Sequence, residues 1–405
     1  MFDQTAISTV TGGAEGALRR PRVGIDLHVV DGIYQGSRTH CLELFSRVVE
    51  ITPACQFVLF LSQPSKLLEF SANFSLPNVR IVSMPHAPAI WRLVRQLPRL
   101  ARQEQLDLLH TQYITPPLAP CRTAVTVHDI LFESHPQYFD RLFVARSRLL
   151  VRRSVRKSTE VFTVSEFSRN QIAGTYGIGL ERIHTIFNGV DQARFFPGED
   201  GSEAIRRAGL TPGDYFLTVG RLEPRKNHAS LMRAWAALPV PRPRLAIAGA
   251  RHFGYDEALR LRETLGLKDD VNVFDNISDE DLPSYFRNAK AFIYCSWAEG
   301  FGMPVLEAMA SGVPVISSAN TALQEVCGDA ALLIDPADIS AIRDAICSVD
   351  SQPHLRSELT RRGLERAQHY KWAFAANTVR EVYLNCLGVK SSPDVTRWSR
   401  ASSSR

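Results

Sequence analysis

Short apolar runs alternate with helical segments along the chain, and this alternation starts afresh after Pro197. In the first half the apolar runs are residues 23–30, 57–61, 79–84, 106–110, 123–127 and 160–164. In the second half they are residues 215–219, 244–248, 271–274, 291–295, 313–317 and 331–334. Apolar strands that alternate with helices predict a parallel sheet that is covered on both faces. The sequence therefore predicts an α/β protein of two domains, each with its own parallel sheet.

The segment between the two series of strands, residues 194–214, is polar and rich in Gly and Pro, as expected of a linker. We place the first domain at residues 21–195, the second at 196–370 and a C-terminal helix at 371–388. Residues 1–20 and 389–405 are expected to be a disordered leader and tail. Helices are expected from about Thr39, after a turn containing Gly32 and Gly36, and from Ser278, a candidate N-cap.

The composition is that of a globular protein, with 45% hydrophobic and 22% charged residues. No apolar run reaches the roughly 18–20 residues that span a bilayer, and the first twenty residues lack the apolar core of a secretory signal. The seven cysteines are scattered, and no two have the C-x-x-C spacing of a metal or redox site. These features predict a cytoplasmic protein without a disulfide framework.

The net charge of +5 is distributed unevenly along the chain. Arg141–Lys157 contains six arginines and one lysine but no acidic residue, and Arg92, Arg95, Arg99 and Arg102 form a second basic stretch. Such segments favour an anionic partner: a membrane surface, a phosphorylated substrate or a nucleic acid. A solvated helix face is the alternative explanation of the same pattern.

Loops that follow predicted strands are the places to look for a ligand site, because open parallel sheets bind ligands at the carboxyl ends of their strands. After residues 215–219, Gly220 is followed by Arg221 and, five residues later, by Lys226. Two cations on one loop can neutralise the charge that develops on a departing diphosphate. A solvated basic loop is the alternative.

The loop after residues 291–295 contains Glu299 and glycines that let backbone amides approach a ligand, and the helix behind it carries Glu307. The N-terminus of that helix favours phosphate, and a carboxylate can accept hydrogen bonds from two hydroxyls of a sugar or ribose. A surface position is the alternative for Glu307. In the first half, His128 follows residues 123–127, where it is a candidate for catalysis or sugar contact, or else a structural residue.

These segments resemble, in the same order, the motifs of the retaining glycosyltransferases of family 4. Glu299 and Glu307 form the E-x7-E signature, and Gly220 to Lys226 has the GR-x4-K pattern at the usual separation from it. Three further segments also match: His128-Asp129, VSEFS from Val164, and Asn188-Gly189-Val190-Asp191. The resemblance covers residues 23–387 and implies the GT-B fold, in which two Rossmann-like domains face a central cleft.

The resemblance also implies roles for the matching residues. Arg221 and Lys226 would bind the donor diphosphate and stabilise the departing nucleotide, and Glu307 would hold the ribose. Glu299 would contact hydroxyls of the donor sugar, and His128 would face that sugar near the acceptor. The other predicted donor-binding residues are Gly220, Gly300, Phe301, Gly302, Glu325, which is expected in a loop, and Gly36, whose segment lacks the adjacent glycine pair of many family members.

The reaction implied retains the anomeric configuration and needs neither a metal nor a cofactor besides the nucleotide-sugar donor. GDP-mannose is the expected donor, with a UDP-hexose as the alternative, and the acceptor is a glycan or lipid-linked glycan of an envelope or exopolysaccharide. The Arg141–Lys157 segment is expected to contact an anionic membrane surface on its cytoplasmic side, not a nucleic acid. A non-catalytic scaffold is a further alternative, whereas the motifs of dinucleotide-binding dehydrogenases and P-loop enzymes are absent.

Overall fold

The computed structural model describes residues 19–32, 36–250, 255–275 and 277–389. The predicted leader and tail lie outside these residues except at residues 19, 20 and 389. The described residues form two separate sheets, and the strands of both sheets are parallel. No helix within the described ranges is both long and apolar enough to cross a membrane.

The first sheet has the strand order β3-β2-β1-β4-β5-β6-β7. Its strands are β1 (Arg22–Asp26), β2 (Gln56–Leu61), β3 (Val79–Ser83), β4 (Leu108–Gln112), β5 (Arg122–Thr126), β6 (Glu160–Thr163) and β7 (Ile183–Thr185). Its helices are α1 (Gly36–Ile51), α2 (Ser65–Phe70), α3 (Ala89–Trp91), α4 (Leu97–Gln103), α5 (Leu131–Ser134), α6 (Arg141–Lys157) and α7 (Glu166–Tyr176). The strand order reverses between β1 and β4, which opens a crevice at the carboxyl ends of these strands.

The second sheet repeats this plan with the order β10-β9-β8-β11-β12-β13. Its strands are β8 (Tyr215–Val219), β9 (Arg244–Ala248), β10 (Val271–Phe274), β11 (Ala291–Tyr294), β12 (Val315–Ser318) and β13 (Ala331–Ile334). The helices of this half are α8 (Ser202–Arg207), α9 (His228–Ala236), α10 (Tyr255–Thr264), α11 (Leu282–Arg287), α12 (Met303–Ala310), α13 (Thr321–Cys327), α14 (Ile339–Ser351), α15 (Pro353–Ala367) and α16 (Trp372–Leu387). Here the order reverses between β8 and β11.

The last helix, α16, leaves the second domain and packs in the core of the first. Trp372, Val379 and Tyr383 are buried together with α1 and the first sheet. The hydroxyl of Tyr383 forms a buried hydrogen bond with Nδ1 of His110 in β4. The end of the described chain therefore stabilises the domain that contains its beginning.

Several local predictions were wrong. Strand β1 ends at Asp26 because His28–Asp31 forms a 3-10 turn. Helix α1 begins at Gly36, three residues before the predicted start. Residues of low helix propensity are tolerated in the first turn, because the N–H groups there have no acceptor within the helix. Ser278 caps a turn by accepting a hydrogen bond from the N–H of Asp281 at 3.1 Å, and α11 follows it. Strand β7 was missed because three residues show no alternation.

Candidate active site

The candidate active site lies at the carboxyl ends of β8 and β11, which are neighbours in the second sheet. The loop after β8 contains a short 3-10 turn at Pro224–Lys226. The loop after β11 leads through Gly302 into α12. Because both strands end at the same edge, side chains that are 73 residues apart in sequence come into contact there.

Glu299 is the centre of an ion-pair cluster in this site. Its Oε1 accepts a hydrogen bond from Nζ of Lys226 at 2.7 Å, and its Oε2 lies 2.8 Å from Nη1 of Arg225. Arg225 also forms an ion pair with Glu223, at 2.7 Å. Lys226 donates a further hydrogen bond to the hydroxyl of Tyr294, at 2.6 Å. The cluster joins the two loops and fixes the position of the Lys226 ammonium group.

The cluster keeps its charges although it is buried. Burial alone would raise the pKa of Glu299, which is 7% exposed, but its ion pairs with Arg225 and Lys226 lower that pKa to about 2. Burial lowers the pKa of Lys226, and Glu299 opposes this shift. Arg221 is different, because its side chain is 35% exposed and contacts only Glu223, at 3.1 Å, among the described ion pairs. Of the two cations predicted to bind a diphosphate, Lys226 therefore has the more deeply buried side chain and Arg221 is partly exposed.

Glu307 lies in α12, and its carboxylate is partly buried. Within the described residues this carboxylate forms no hydrogen bond and no ion pair. Burial raises the pKa of Glu307 to about 7, although the nearby charge of Arg194 lowers it in part and that of Asp279 adds to the rise. A carboxylate in this environment is unfavourable unless a ligand donates hydrogen bonds to it. Glu307 is thus free to bind hydroxyl groups.

Two backbone amides at the start of α12 are also free. The N–H groups of Phe301 and Gly302 donate to no described residue. Gly302 has a φ of 107°, and a Cβ there would lie 2.5 Å from Cδ2 of Leu323, so that glycine is required. Free amides at a helix N-terminus favour an anion. Gly36 lies opposite this helix start, where a Cβ would be 3.8 Å from Sδ of Met303.

His128 follows β5 in the first domain. Its Nε2 lies 3.0 Å from Oε1 of Gln112, and burial, together with the charges of His40 and His110, lowers the pKa of His128 well below its ordinary value. The ring is therefore neutral at physiological pH. The adjacent Asp129 reaches the Glu299 loop: a Cβ on Gly300 would lie 2.6 Å from its carboxylate. This contact brings the first domain against the loop that carries Glu299.

Glu325 does not lie in a loop as predicted but in α13, because apolar residues on one face of residues 321–327 are spaced to be buried as a helix. Its two carboxylate oxygens accept hydrogen bonds from the N–H groups of Glu166 and Phe167, each at 2.9 Å. These groups form the N-terminus of α7, which attracts negative charge. Ser165, the N-cap of α7, donates to the carbonyl of Gly300 at 2.8 Å. The predicted contact of Glu325 with the donor stays a prediction.

The groups available to a ligand are two cations, one unpaired carboxylate and two amides. Gly220 makes room for the Lys226 side chain, because a Cβ at Gly220 would lie 3.3 Å from Cε of Lys226. Among the described residues, no three His, Cys, Asp or Glu side chains are placed to hold a metal ion. Cations and amides suit an anionic group, and the carboxylate suits hydroxyls. The arrangement is therefore able to bind a molecule that carries both.

The structure brings four residues into the site that were not predicted from the sequence: Arg225, Glu223, Tyr294 and Gln112. A signal existed for Arg225, because it precedes Lys226 in a loop that also carries an acid. Tyr294 is the last residue of β11, a position that favours ligand contact. Gln112 was not predicted because β4 was expected to end two residues earlier, at His110, and so Gln112 did not lie at the predicted strand end.

Several solved structures share this arrangement of two domains. Sucrose-phosphate synthase from Thermosynechococcus elongatus has a TM-score of 0.73 at 20% identity and covers 91% of this chain and 100% of its own. WaaG, a glycosyltransferase involved in lipopolysaccharide biosynthesis, has a TM-score of 0.68 at 15% identity and covers 89% and 99%. HepE of Anabaena, solved in complex with UDP-glucose, has a TM-score of 0.71 at 16% identity and covers 90% and 99%. The fold is therefore GT-B, with two Rossmann-like domains.

Similarity in sequence identifies the family to which the chain belongs. The family model for glycosyltransferase family 4 matches residues 34–194, and the model for glycosyl transferases group 1 matches residues 202–366. O-antigen chain mannosyltransferase B of Escherichia coli is 34% identical over 256 residues, 62% of this chain and 67% of the relative. O-antigen chain mannosyltransferase RfbU of Salmonella typhimurium is 31% identical over 268 residues, 65% and 69% respectively. The chain belongs to glycosyltransferase family 4 and is a glycosyltransferase similar to mannosyltransferases.

Proposed function

We propose that this glycosyltransferase transfers mannose from GDP-mannose to a glycan or lipid-linked glycan acceptor, and that it functions in the synthesis of an envelope polysaccharide or exopolysaccharide. The reaction retains the anomeric configuration and uses no metal ion and no cofactor besides the nucleotide-sugar donor. The two relatives named O-antigen chain mannosyltransferases support mannose as the sugar. The UDP-glucose complex of HepE keeps a UDP-hexose as the alternative donor.

The observation that carries this proposal is the combination of cations, free amides and one unpaired carboxylate around the Glu299 cluster. Lys226 and Arg221 provide positive charge for a diphosphate, and the free amides of Phe301 and Gly302 provide hydrogen-bond donors. The unpaired carboxylate of Glu307 provides an acceptor for ribose hydroxyls. A nucleotide sugar has each of the complementary groups.

The transfer breaks the bond between the anomeric carbon and a diphosphate oxygen and forms a bond from that carbon to the acceptor oxygen on the same face. The acceptor's proton passes to the departing phosphate oxygen, so that no carboxylate of the protein acts as the nucleophile. This differs from retaining hydrolases, which need a carboxylate at attacking distance. Both oxygens of Glu299 are already engaged by Arg225 and Lys226, which supports the proposal that Glu299 is not the nucleophile.

Thermal shift measurements with GDP, UDP, GDP-mannose and UDP-glucose, without added metal, test the donor. A ligand at 100 times its Kd stabilises the folded state by about 2.7 kcal/mol, which raises Tm measurably. We expect GDP and GDP-mannose to raise Tm and the uridine compounds to have little effect. A shift with UDP and UDP-glucose alone would favour the alternative donor. No shift with any of the four would contradict a donor site in the free protein and favour the scaffold alternative.

We further propose that α6 contacts an anionic membrane surface at the inner face of the membrane. One face of this helix is buried through Val144, Val151 and Val155, but Leu142 and Leu149 on the outer face are 80% and 70% exposed. Exposed arginines surround these leucines. Exposed apolar side chains among basic residues are the pattern of a helix that lies on an anionic bilayer.

A second exposed apolar group lies on the same side of the first sheet. The register of the strands places Val58, Leu109 and Val125 on the same face of the sheet. Helix α4 covers Val58 and Leu109, and α6 covers Val125, so both helices lie on that face. In the segment that leads into α4, the exposed side chains include Ile90 and Trp91. Both helical segments follow the carboxyl ends of strands, so their first residues lie towards the crevice. This supports a membrane-facing surface near the acceptor.

Sedimentation with vesicles tests the membrane contact. We expect the protein to bind anionic vesicles at low salt, and the double variant Arg146→Glu/Arg152→Glu to bind at least tenfold more weakly, because each basic residue near the surface contributes about 1 kcal/mol. The matched control Arg206→Glu/Arg207→Glu makes the same charge change on α8 and should bind like the wild type. Absence of binding by the wild type, or equal losses in both variants, would contradict the proposal.

A further inference from the structure

The ring of His128 is held by contacts on three sides. Its Nε2 lies 3.0 Å from Oε1 of Gln112. The ring packs edge-on against His40, with centroids 4.6 Å apart, and at a tilt against Tyr113, at 5.5 Å. His40 is fixed in turn, because its Nδ1 lies 2.7 Å from Oδ1 of Asn188. His128 therefore has a defined ring orientation, and its hydrogen-bond partner is a side-chain amide.

The backbone turns sharply immediately after Gln112. Gln112 is the last residue of β4 and is 5% exposed, and the next residue, Tyr113, has a φ of 59°, which residues other than glycine rarely adopt. The N–H of Tyr113 donates to the carbonyl of Thr126 at 2.8 Å, and the N–H of Ile114 donates to that of Gln112 at 2.7 Å. Such strain persists where surrounding contacts enforce it. Here it leaves the side chains of Gln112 and Tyr113 both against His128.

The contact with Gln112 determines where His128 carries its proton. An amide oxygen only accepts hydrogen bonds, so Nε2 must be protonated, and Nδ1 of the neutral ring is an acceptor. No described residue pairs with Nδ1. The amide Nε2 of Gln112 is buried and has no partner among the described residues. If the amide were reversed, it would donate to His128, the proton would move to Nδ1, and that atom would become a donor.

We propose that Gln112 is a positioning residue that holds His128 in the neutral Nε2–H tautomer, so that Nδ1 accepts a hydrogen bond from a substrate hydroxyl. This inference rests on the proposed function, in which His128 faces the donor sugar near the acceptor. His128 then orients a hydroxyl and does not donate a proton to the leaving group. The burial of the ring beside His40 and His110, which lowers its pKa, favours the same neutral state.

NMR of protein with 15N-labelled histidines tests the tautomer directly, because protonated and unprotonated ring nitrogens differ in chemical shift. The signals of His128 are those lost in His128→Asn. We expect the Nε2–H form in the wild type and in Gln112→Glu, which keeps an accepting oxygen. Gln112→Met keeps the length without a polar atom and should show an average of both tautomers. An Nδ1–H form in the wild type, or an unchanged spectrum in Gln112→Met, would overturn the proposal.

Kinetics distinguish positioning from packing. We expect kcat to fall roughly tenfold in Gln112→Met, the order expected for one lost hydrogen bond, and to recover to within about threefold in Gln112→Glu, with little change in donor KM. Gln63→Met, at an exposed position, is the control and should be fully active. Equal losses of kcat in both Gln112 variants would contradict the proposal. A wild type without transferase activity would contradict the proposed function only, since the spectra still determine the tautomer.

Discussion

Replacing Lys226 by alanine is expected to lower kcat by roughly 10²-fold or more, the usual effect of removing a group that stabilises developing charge. The Lys226 side chain is 11% exposed, and its Nζ is held by Glu299 at 2.7 Å and by Tyr294 at 2.6 Å. Water screens a buried charge much less than an exposed one. The ammonium group is thus fixed before the donor arrives and needs no reorganisation as the diphosphate departs.

Steady-state kcat and KM for the donor identified by thermal shift test this expectation. Arg221→Ala should lose activity to a similar extent, but its side chain is 35% exposed, so its Tm should hardly change. Lys226→Ala should also lower Tm, because it leaves buried Glu299 with Arg225 as its remaining ion-pair partner. Lys268→Ala removes a surface lysine of the same domain and should retain full activity. A wild-type kcat in either active-site variant would exclude that residue from the mechanism.

The fold was predictable because its signal is local. Each buried parallel strand is a short apolar run bounded by polar or glycine-containing turns, and Tyr215–Val219, Arg244–Ala248 and Val271–Phe274 were predicted with their observed bounds. The order of the strands follows from the way in which such units wind on both sides of a starting strand. Element ends were less predictable, as at β1 and α11, because turn geometry competes with periodicity there.

The site was predictable only in part because its contacts are not local. The position of Glu299 after a strand indicated a ligand site, but its pairing with Arg225 depends on two loops that meet only in the folded sheet. The same holds for Glu325, whose carboxylate binds the N-terminus of α7. Its partner there, the N–H of Phe167, is 158 residues away in sequence. A sequence shows which side chains lie at strand ends. It does not show which of them are already paired and which remain free for a substrate.

Glu307 should show the second large effect, because it is the free carboxylate of the site. Glu307→Ala is expected to raise the donor Kd by roughly 10²-fold at pH 8, since hydrogen bonds to a charged group contribute about 1.5–3 kcal/mol. At saturating donor kcat should change much less, because the ribose is remote from the bond that breaks. Isothermal titration with the donor and saturation kinetics measure the two quantities separately. Glu203→Ala, an exposed carboxylate on α8, is the control.

The same residue should lower the stability of the protein without ligand. Burial raises the pKa of folded Glu307 from 4.5 to about 7, so between these values the folded protein binds a proton that the unfolded chain has lost. The free energy of unfolding therefore falls as pH rises from about 4.5 to about 7. Glu307→Gln cannot ionise and avoids this loss. Its Tm should exceed that of the wild type at pH 8, and the difference should shrink as pH falls through 7.

With donor bound, the wild type should have a higher Tm at pH 8 than Glu307→Gln. Hydrogen bonds from the donor hydroxyls favour the ionised carboxylate and lower the pKa of Glu307. Donor affinity of the wild type should then rise with pH up to about 7, while that of Glu307→Gln should be nearly independent of pH over the same range. Melting curves at pH 5, 6, 7 and 8, with and without donor, test both signs in one series. A variant that melts like the wild type at pH 8 without donor would show that the carboxylate is not destabilised by burial. Unchanged donor affinity in Glu307→Ala would exclude the ribose contact, because it would show that the Glu307 carboxylate contributes nothing to donor binding.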